Sequence, residues 1–511
     1  MSIPQAVSPG TVTPGLFLSV DLLAGAASPN SGTLRVALMA AKASTGNLTN
    51  DTEVRAGGGE ASAGTAFGIG ASGHLAAKQL YAKYPLAQVD FISPVPGAGQ
   101  ATIGITFAGA PTSNTSVLVN IAGRTFELAW LVGETANNMR DKLIAAISQR
   151  TQNLPVVAVS GGAGVVTINA KTTGRVGNDV KVKAVLSLAQ TGTEAVTGAA
   201  TLTNLSGGSA DPDFTNAIAA IQGQEYAFIV PVLSNTDATN TGTKSNVGKL
   251  VDYITANNTG LNAKLQQLIV GVTTTISAAK AAALSSNGGE NSVIGEMLTC
   301  INGLGLPGEL AARECGGWLA GLAIDPAINR IGELLDGYIG SADKITDRPT
   351  TAQSEDALGN GVALVSYTAQ GLEMLVRPVC MHSQDSAGGS DHRLLDCQMV
   401  SATYIVARDL RSALPAEFPN AKITKDIAPG DSPPPKGVTE ERDIKAFVIE
   451  RLRFWQDEGV ILKESLDASI ADGTLIVQVN SSDASQVDIV LPFKIVPPLA
   501  KFGVVVQRQP N

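Results

Sequence analysis

The final stretch of the chain reads TLIVQVN (474–480), QVDIVLPFKIV (486–496) and FGVVVQ (502–507), three strand-like runs separated by a polar turn and by Pro497–Pro498. In the middle run the apolar side chains recur with a period of two, at Val487, Ile489, Leu491, Phe493 and Ile495. A period of two places all five on one face of an extended strand. We therefore expect this segment to need a sheet that buries the face and other strands that pair its backbone.

The start of the chain holds a second extended segment. Pro4, Pro9 and Pro14 follow one another at intervals of five residues, which excludes a helix. The apolar run 16–20 (LFLSV) comes next, and a disordered tail, the alternative for a chain end, would not need it. We predict an extended N-terminal arm over 1–30 and an extended C-terminal arm over 497–511.

Composition excludes several classes of protein. The chain has 511 residues, is 44% hydrophobic and carries a net charge of −9, and it has no cluster of Lys and Arg, so we predict no nucleic-acid binding. Its 4 Cys are too few for a disulfide framework and fit a reducing compartment. No apolar run reaches the about 18 residues of a membrane span, and MSIPQAVSPG lacks the features of a signal peptide. We expect a protein made in a cytoplasm without membrane insertion.

Strand-like and helix-like segments alternate along much of the chain, which favours an α/β core over 31–96 and 206–350. The pattern predicts strands at 33–41, 89–95, 226–233 and 264–272. It predicts helices at 73–84, 214–221, 249–256, 309–321 and 331–339.

The segment 97–205 has another texture, with short β-like runs between Gly, Asn and Ser turns. One helix interrupts them, with Thr135 as its N-cap. Its apolar face comprises Met139, Leu143, Ile144 and Ile147. We predict a compact, mostly β domain that is inserted into the α/β core and protrudes from it.

The region 351–496 reads as an α+β C-terminal domain. It contains a hairpin-like pair around Gln370–Gly371, a helix near 398–411, a proline-rich linker at 429–435 and an amphipathic helix over 439–458. The apolar stripe of the last helix is Ile444, Phe447, Val448, Leu452 and Trp455, and its other face carries Arg442, Lys445, Glu450 and Arg453. The predicted fold is thus an α/β core, α+β as a whole, with an inserted mostly-β domain, an α+β C-terminal domain and two extended arms.

Two patterns could carry chemistry. Gly68–Gly73 (GIGASG) matches the dinucleotide-binding G-x-G-x-x-G, but such a site needs a strand directly before it, and 57–67 reads as a loop. Cys380, His382, His392 and Cys397 have zinc-ligand chemistry at a non-standard spacing, and a buried thiol is the alternative for Cys380. We predict no catalytic centre and no cofactor, and we keep the four Cys and His residues as a candidate metal set.

Several motifs, taken in order from residue 13 to residue 507, resemble the contractile tail sheath proteins of Mu-like bacteriophages. They are TPGLF (13–17), AFGIGASGHLAAKQLYAKYP (66–85), GETANNMRDKLIAAI (133–147), VTINAKTTGRVGNDV (166–180) and the closing VDIVLPFKIVPPLAKFGVVVQ (487–507). Each motif alone is a pattern of Gly and apolar residues, and their order along the chain carries the specificity. The N-terminal motif departs from the family because it lacks a basic residue often seen there.

The resemblance implies a structural role rather than an enzymatic one. Sheath subunits stack as rings, usually sixfold, around an inner tube, and contraction drives the tube through the host envelope. The implied partners are further copies of the chain, the tail tube protein, and the baseplate and tail terminator proteins. The implied location is the tail sheath of a virion that is made and assembled in the host bacterial cytoplasm. Other virion proteins (tube or capsid) and, last, a nucleotide-binding α/β enzyme are the alternatives.

The resemblance also assigns residues. The strands shared between subunits would comprise Pro14, Gly15, Leu16, Phe17, Val20, Val487, Ile489, Leu491, Phe493, Ile495, Phe502, Val504 and Val506. The C-terminal domain would contact the inner tube through a helix bearing Arg442, Lys445, Glu450 and Arg453.

Overall fold

The computed structural model describes residues 34–188, 192–239, 245–258, 264–285, 296–301, 303–335, 348–383, 395–427 and 434–499. The predicted N-terminal arm and the residues 500–511 of the predicted C-terminal arm lie outside these ranges, as does His392. The chain divides into two compact units, which we treat separately. The larger unit contains Gly32–Ala320 and Leu334–Cys397, and the smaller contains Gly321–Glu333 and Gln398–Asn511.

An eight-stranded sheet forms the centre of the larger unit. Its strands are β1 (Arg35–Met39), β2 (Val54–Ala56), β3 (Gln88–Ile92), β12 (Phe228–Pro231), β13 (Gln267–Val272), β14 (Glu296–Cys300), β15 (Val362–Tyr367) and β16 (Glu373–Arg377). Their order is β16-β15-β14-β13-β12-β1-β3-β2, and the six inner strands are parallel. All six residues of β13 are buried, as expected of a parallel strand with both faces covered.

Helices connect and cover these strands. They are α1 (Glu60–Phe67), α2 (Ser72–Lys83), α4 (Thr215–Ile221), α5 (Asn235–Ala238), α6 (Asn246–Asn257), α7 (Ile276–Ser285), α8 (Pro307–Leu322) and α9 (Thr351–Gly359). Their starts follow local rules: Ser245 accepts from Gly248 N to cap α6, and α8 begins with a proline, whose missing N–H has no helical partner at that position. Of the described helices, none combines the length and the apolarity that a membrane crossing requires.

Two four-stranded sheets form between β3 and α4, in the segment that we predicted to be mostly β. They comprise β4 (Thr102–Ala108), β5 (Thr115–Ile121), β6 (Arg124–Trp130), β7 (Val156–Gly162), β8 (Val165–Ala170), β9 (Lys181–Leu186), β10 (Ala195–Thr197) and β11 (Thr203–Asn204). The strand orders are β10-β4-β8-β7 and β11-β9-β5-β6. The helix α3 (Ala136–Gln149) starts at Thr135, which forms a capping box with Asn138 as its cap position predicts. We call this part of the larger unit, 102–204, the inserted domain.

The smaller unit contains α10 (Cys397–Glu417), β17 (Lys422–Thr424), β18 (Val438–Glu440), α11 (Glu441–Asp457), α12 (Lys463–Ala471), β19 (Ile476–Val479) and β20 (Val487–Val490). The predicted apolar stripe of α11 is confirmed, because Ile444, Val448, Leu452 and Trp455 are buried in the hydrophobic core of the unit. Phe447 lies at the edge of this stripe and packs edge-on against Phe418, with 5.6 Å between ring centroids.

Before residue 474, two of the predicted secondary-structure assignments are wrong. Residues 331–335 form a turn followed by a bridge from Leu334 to Met374, and not the start of a helix. Gly332 has φ of 75°, a left-handed conformation that a helix does not accommodate. The predicted loop at 57–67 contains α1, because its alanines favour a helix once the three glycines at 57–59 have been passed.

The eight-stranded sheet also extends further along the chain than predicted. We expected the C-terminal domain to begin at residue 351, but β15 pairs in parallel with β14, and β16 pairs with β15. The six consecutive buried residues of β15 explain the difference, because a run that is apolar on both faces suits the interior of a covered sheet. The hairpin around Gln370–Gly371 is confirmed, but it belongs to the larger unit.

The two mid-strand glycines of β13 and β4 provide a stability test. A Cβ at Gly271 would overlap the carbonyl oxygen of Pro307 and lie 2.8 Å from Ala311 N, whereas a Cβ at Gly104 would meet no heavy atom within 4 Å. We expect Gly271→Ala to lower the free energy of unfolding by about 1–3 kcal/mol, the cost of overpacking. Gly104→Ala is the control and should not lower it, because alanine suits a strand better than glycine. Urea denaturation measures both, and equal effects would contradict the packing of α8 on β13.

Candidate functional site

The C-terminal hairpin is a two-stranded sheet with an open edge. Strand β20 pairs antiparallel with β19, with Val479 opposite Val487 and Val477 opposite Ile489. Among the described residues β20 has no other strand neighbour. Since two strands alone are marginally stable in water, a third strand would add both pairing and stability.

The hydrogen-bond pattern shows which backbone groups face outward. Asn480 N donates to Gln486 O at 2.8 Å, so these two residues are a hydrogen-bonded pair. In an antiparallel ladder every second pair is not hydrogen-bonded, and here those are Val479 with Val487 and Val477 with Ile489. Val487 and Ile489 therefore direct their N–H and C=O groups away from β19. On the opposite edge Glu441 accepts from Val479 N at 2.5 Å, which caps β19 at that position. The outer edge of β20 is thus the open one.

The apolar face of this segment is covered by the chain itself. Phe493 and Ile495 are 1% and 8% exposed, and the three apolar residues before them pack on the same core as α10 and α11. The strand also ends at Val490, so the single strand that we predicted through 495 is wrong. Pro492 has no N–H to continue the ladder, and the chain turns instead so that Ile495 bridges to Ile461. What remains for a neighbouring molecule is the backbone edge rather than the side-chain face.

The charged side of α11 faces away from the core. Arg442 is exposed and forms an ion pair with Glu440 at 2.8 Å, while Arg453 pairs with Asp467 at 2.5 Å. Lys445 and Glu450 share this side of the helix, half-buried and exposed respectively. The predicted tube-facing residues therefore lie on the solvent side of the helix, where a partner could reach them.

The GIGASG loop does not have the setting of a dinucleotide site. Gly68–Gly73 connects α1 to α2, so a helix precedes the first glycine where a phosphate-binding turn requires a strand. The ammonium group of Lys171 lies against this loop, donating to Ile69 O at 2.9 Å and to Thr151 O at 2.5 Å. A Cβ at Gly70 would overlap that ammonium group. The space beside this glycine is therefore taken by Lys171 of the inserted domain and not by a ligand.

The inserted domain occupies the position at which open α/β sheets bind ligands. Strands β3 and β12 lie on opposite sides of β1, and such a switch in strand order places a crevice at the carboxyl ends of the strands. Asp179 accepts there from Asn235 N at 2.8 Å and Nδ2 at 3.0 Å, and Asn235 in turn accepts from Thr273 N at 2.7 Å. Lys181 donates to Gly303 O at 2.7 Å. Side chains of the inserted domain are thus hydrogen-bonded at these strand ends, which disfavours the nucleotide-binding alternative.

A buried ion pair fastens the inserted domain to the α/β sheet. Arg124, the first residue of β6, forms two N–O contacts with Glu309 on α8, one of them 3.2 Å long. The Glu309 side chain is 1% exposed and also accepts from Leu306 N at 3.3 Å. Leu75 and Leu306 extend the hydrophobic core of the inserted domain into the helices that cover the sheet. These contacts make the inserted domain and the sheet one packed body.

The candidate metal set is only partly described. Cys380 and Cys397 are buried, and their thiols share a hydrogen bond. Burial and the neighbouring Cys380 raise the pKa of the Cys397 thiol well above its usual range. His382 is buried nearby in sequence, and among the described residues no three His, Cys, Asp or Glu side chains converge to hold a metal. His392 lies outside the described residues, so zinc binding by the set of four stays a prediction.

The contacts that fasten the inserted domain were not predicted from the sequence. Arg124 and Glu309 are 185 residues apart, and Asp179 and Asn235 are 56 apart. No local pattern marks either pair, since periodicity and capping rules report only on neighbours along the chain. Glu309 could have been noticed as a first-turn acid of a helix that begins with proline, but its partner could not.

Comparisons with known proteins show what this chain is similar to. No family model matches the chain. The Mu-like prophage FluMu tail sheath protein of Haemophilus influenzae is 22% identical over 439 residues, which cover 84% of this chain and 85% of that protein. Two solved structures are similar. The sheath tail protein of Desulfitobacterium hafniense has 12% identity, a TM-score of 0.40 and coverage of 88% of this chain and 91% of its own. That of Listeria innocua has 13% identity, a TM-score of 0.35 and coverage of 85% and 87%.

The chain is therefore a homologue of a bacteriophage tail sheath protein, a structural class. That relative is a Mu-like prophage protein, so the resemblance drawn from the motifs between residues 13 and 507 is confirmed.

The buried ion pair gives a prediction with a matched control. Arg124→Met should lower the free energy of unfolding by about 3–5 kcal/mol, because it leaves the buried Glu309 carboxylate without its partner. Lys280→Met breaks the pair with Asp356, whose side chains are 31% and 54% exposed, and should cost about 0–1 kcal/mol. Urea denaturation of both variants measures the difference. A small effect of Arg124→Met would contradict the fastening of the inserted domain through this pair.

The buried carboxyl of Asp179 gives a pH dependence. Burial raises its pKa from 3.8 to about 7, so between about pH 4 and pH 7 the folded chain holds a proton that the unfolded chain has released. The contribution of Asp179 to the free energy of unfolding therefore falls as the pH rises through this window. Urea denaturation at several pH values gives the free energy of unfolding of wild type and of Asp179→Asn. As the pH rises towards 8, the free energy of wild type should fall relative to that of the variant. A difference that is constant with pH would contradict the raised pKa.

Proposed function

We propose that the chain is a structural subunit of a contractile tail sheath, which polymerises around an inner tube and contracts to drive the tube through the host envelope. The open outer edge of β20, beside a chain terminus of strand-like sequence, is the observation that carries this proposal. The homology to a tail sheath protein supports it. The partners are then other copies in stacked rings, usually sixfold, and the tail tube, baseplate and tail terminator proteins.

Strand exchange explains how copies would hold together. A strand added to the β20 edge gains several backbone hydrogen bonds, each contributing about 1 kcal/mol net. We place the two predicted arms, residues 1–30 and 497–511, in this role, so that each copy donates a strand to the hairpin of another. Phe17 and Val504 belong to the donated strands, whereas Val487 and Ile489 belong to the accepting edge.

Contraction needs contacts that persist and contacts that change. Donated strands persist, because several backbone hydrogen bonds would have to break together. Exposed ion pairs contribute only about 0–1 kcal/mol each and can break and reform between rigid bodies. The charged side of α11, with Arg442, Lys445, Glu450 and Arg453, suits such a changeable contact with the tube. An extended state that is metastable with respect to a contracted state supplies the two-state element, and the energy is stored during assembly.

The alternatives are less well supported. A tube or capsid protein is also a structural virion component, but the homologue that covers 84% of this chain is named as a sheath protein. A nucleotide-binding enzyme would need the GIGASG loop or the crevice of the sheet, and side chains of the inserted domain occupy both. We therefore propose a non-enzymatic component of the virion tail, made and assembled in the host bacterial cytoplasm.

Assembly of the purified chain tests the proposal. Wild type should form long tubular polymers in negative-stain electron microscopy, and deletion of residues 1–20 or of 497–511 should abolish them. Val487→Pro is sharper, because proline removes one outward N–H from the β20 edge and is tolerated at an edge position. Val487→Thr keeps that N–H and a β-branched side chain, and should assemble as wild type does. Normal polymers from Val487→Pro or from either truncation would refute the strand-exchange account.

A further inference from the structure

The two outer faces of the inserted domain differ in charge. The outer face of the sheet β11-β9-β5-β6 carries Glu127 and Lys183, both exposed. On the sheet β10-β4-β8-β7 the inward positions, such as Ile105 and Ile168, are buried in the domain core. The outward positions of the same strands hold only Thr, Gly, Val, Asn and Ala, with Gly104, Thr106, Val157, Val159, Val165 and Thr167 at the centre. This second face, which we call the uncharged face, has no acidic or basic side chain on its four strands.

Two apolar side chains of the uncharged face are exposed to solvent. Val157 and Val159 are 42% and 48% exposed on β7, the edge strand of the sheet. In the other sheet Leu118 is similarly exposed at 40%, but it lies directly opposite Glu127 on the neighbouring strand. Val157 and Val159 thus expose apolar surface on an edge strand whose own side chains carry no charge, and natural proteins commonly place charged side chains on exposed edges.

A glycine at the centre of the uncharged face has no explanation within the described chain. Glycine weakens a strand, and it is retained where φ is positive, where the chain crowds it, or where another backbone approaches closely. Gly104 is not among the glycines with positive φ, and a Cβ there would meet no heavy atom within 4 Å. Gly271, the mid-strand glycine of β13, is by contrast crowded by α8. Gly104 therefore leaves room for something outside the described residues.

We propose that the uncharged face binds a second copy of this chain, whose backbone approaches Gly104 closely. Charge favours this occupant, because each copy carries a net charge of −9 and two copies repel wherever average surfaces meet. A face without charges removes that repulsion and buries no unpaired charge. The proposal deepens the proposed function, since it adds a side-to-side contact to the strand exchange of the termini.

The size of the face sets the strength of the contact. Four strands about 4.8 Å apart and about five residues long cover roughly 300 Å². A stable pairwise interface buries about 800 Å² on each partner, so this face alone makes a weak contact between two free subunits. Repetition in a polymer raises its effect, because neighbours held by other contacts meet at high effective concentration. The contact should therefore stabilise assemblies without producing a stable dimer in dilute solution.

Gly104→Leu separates stability from assembly. A Cβ at this exposed position meets no heavy atom within 4 Å, so we expect the Tm to equal or exceed that of wild type, whereas a second copy could no longer approach. We expect the critical concentration for assembly, measured by sedimentation, to rise at least about tenfold. Lys183→Leu places the same side chain on the charged outer face and is the control, which should assemble as wild type does. Assembly of Gly104→Leu at the wild-type concentration would overturn the proposal.

A cross-linking experiment decides the occupant independently of polymer formation. The four native thiols are buried, so a benzophenone maleimide will label the Val159→Cys variant at position 159. Mixing ¹⁴N and ¹⁵N protein before illumination distinguishes links between copies from links within one copy. Mixed-isotope peptides linked to position 159 are expected, and only intramolecular links would overturn the proposal. If wild type forms no polymers, the proposed sheath function is refuted. The cross-links at position 159 still show whether the uncharged face binds a second copy.

Discussion

A backbone edge on a two-stranded hairpin, unpaired among the described residues, is the constraint on which the proposed assembly depends. The apolar side chains of β20 and the residues after it are used by the chain itself, packed against α10 and α11 around Phe493. Pro492 ends the ladder, and Glu441 caps the edge of β19, so the outward groups of Val487 and Ile489 are what the hairpin offers to another molecule. Side chains therefore hold the fold of this unit, and in the proposed assembly the backbone edge of β20 would hold the neighbouring copy.

The larger unit differs, because its polar side chains bond to one another inside the unit. Arg124 pairs with Glu309 across two parts of the chain, and Asp179 closes the crevice at the end of the sheet on Asn235. A doubly wound sheet would ordinarily offer that crevice to a ligand. Here side chains of the inserted domain are hydrogen-bonded at that position instead. Under the proposed function, such a packed unit would suit a subunit that contraction moves as a whole while strand exchange keeps the copies connected.

Local rules predicted the elements well and their associations poorly. The cap at Thr135 and the apolar stripe of α11 follow from spacing within one helix, and both were predicted correctly. The period of two from Val487 to Ile495 correctly indicated a buried face, but not that this chain would bury it, because periodicity does not identify the covering partner. The pairing of β15 with β14 and the contact of Lys171 with Ile69 depend on residues far apart in the chain. Positive φ at Gly332 likewise could not be read from a helical pattern.

The most direct measurement of the central claim is a cryo-electron microscopy reconstruction of the assembled protein at a resolution that traces the backbone. The account predicts hollow tubes in which an extended terminal segment of another copy lies hydrogen-bonded along the outer edge of β20, next to Val487 and Ile489. Tubes in which that edge faces solvent, or a purified chain that stays monomeric at every concentration, would contradict it.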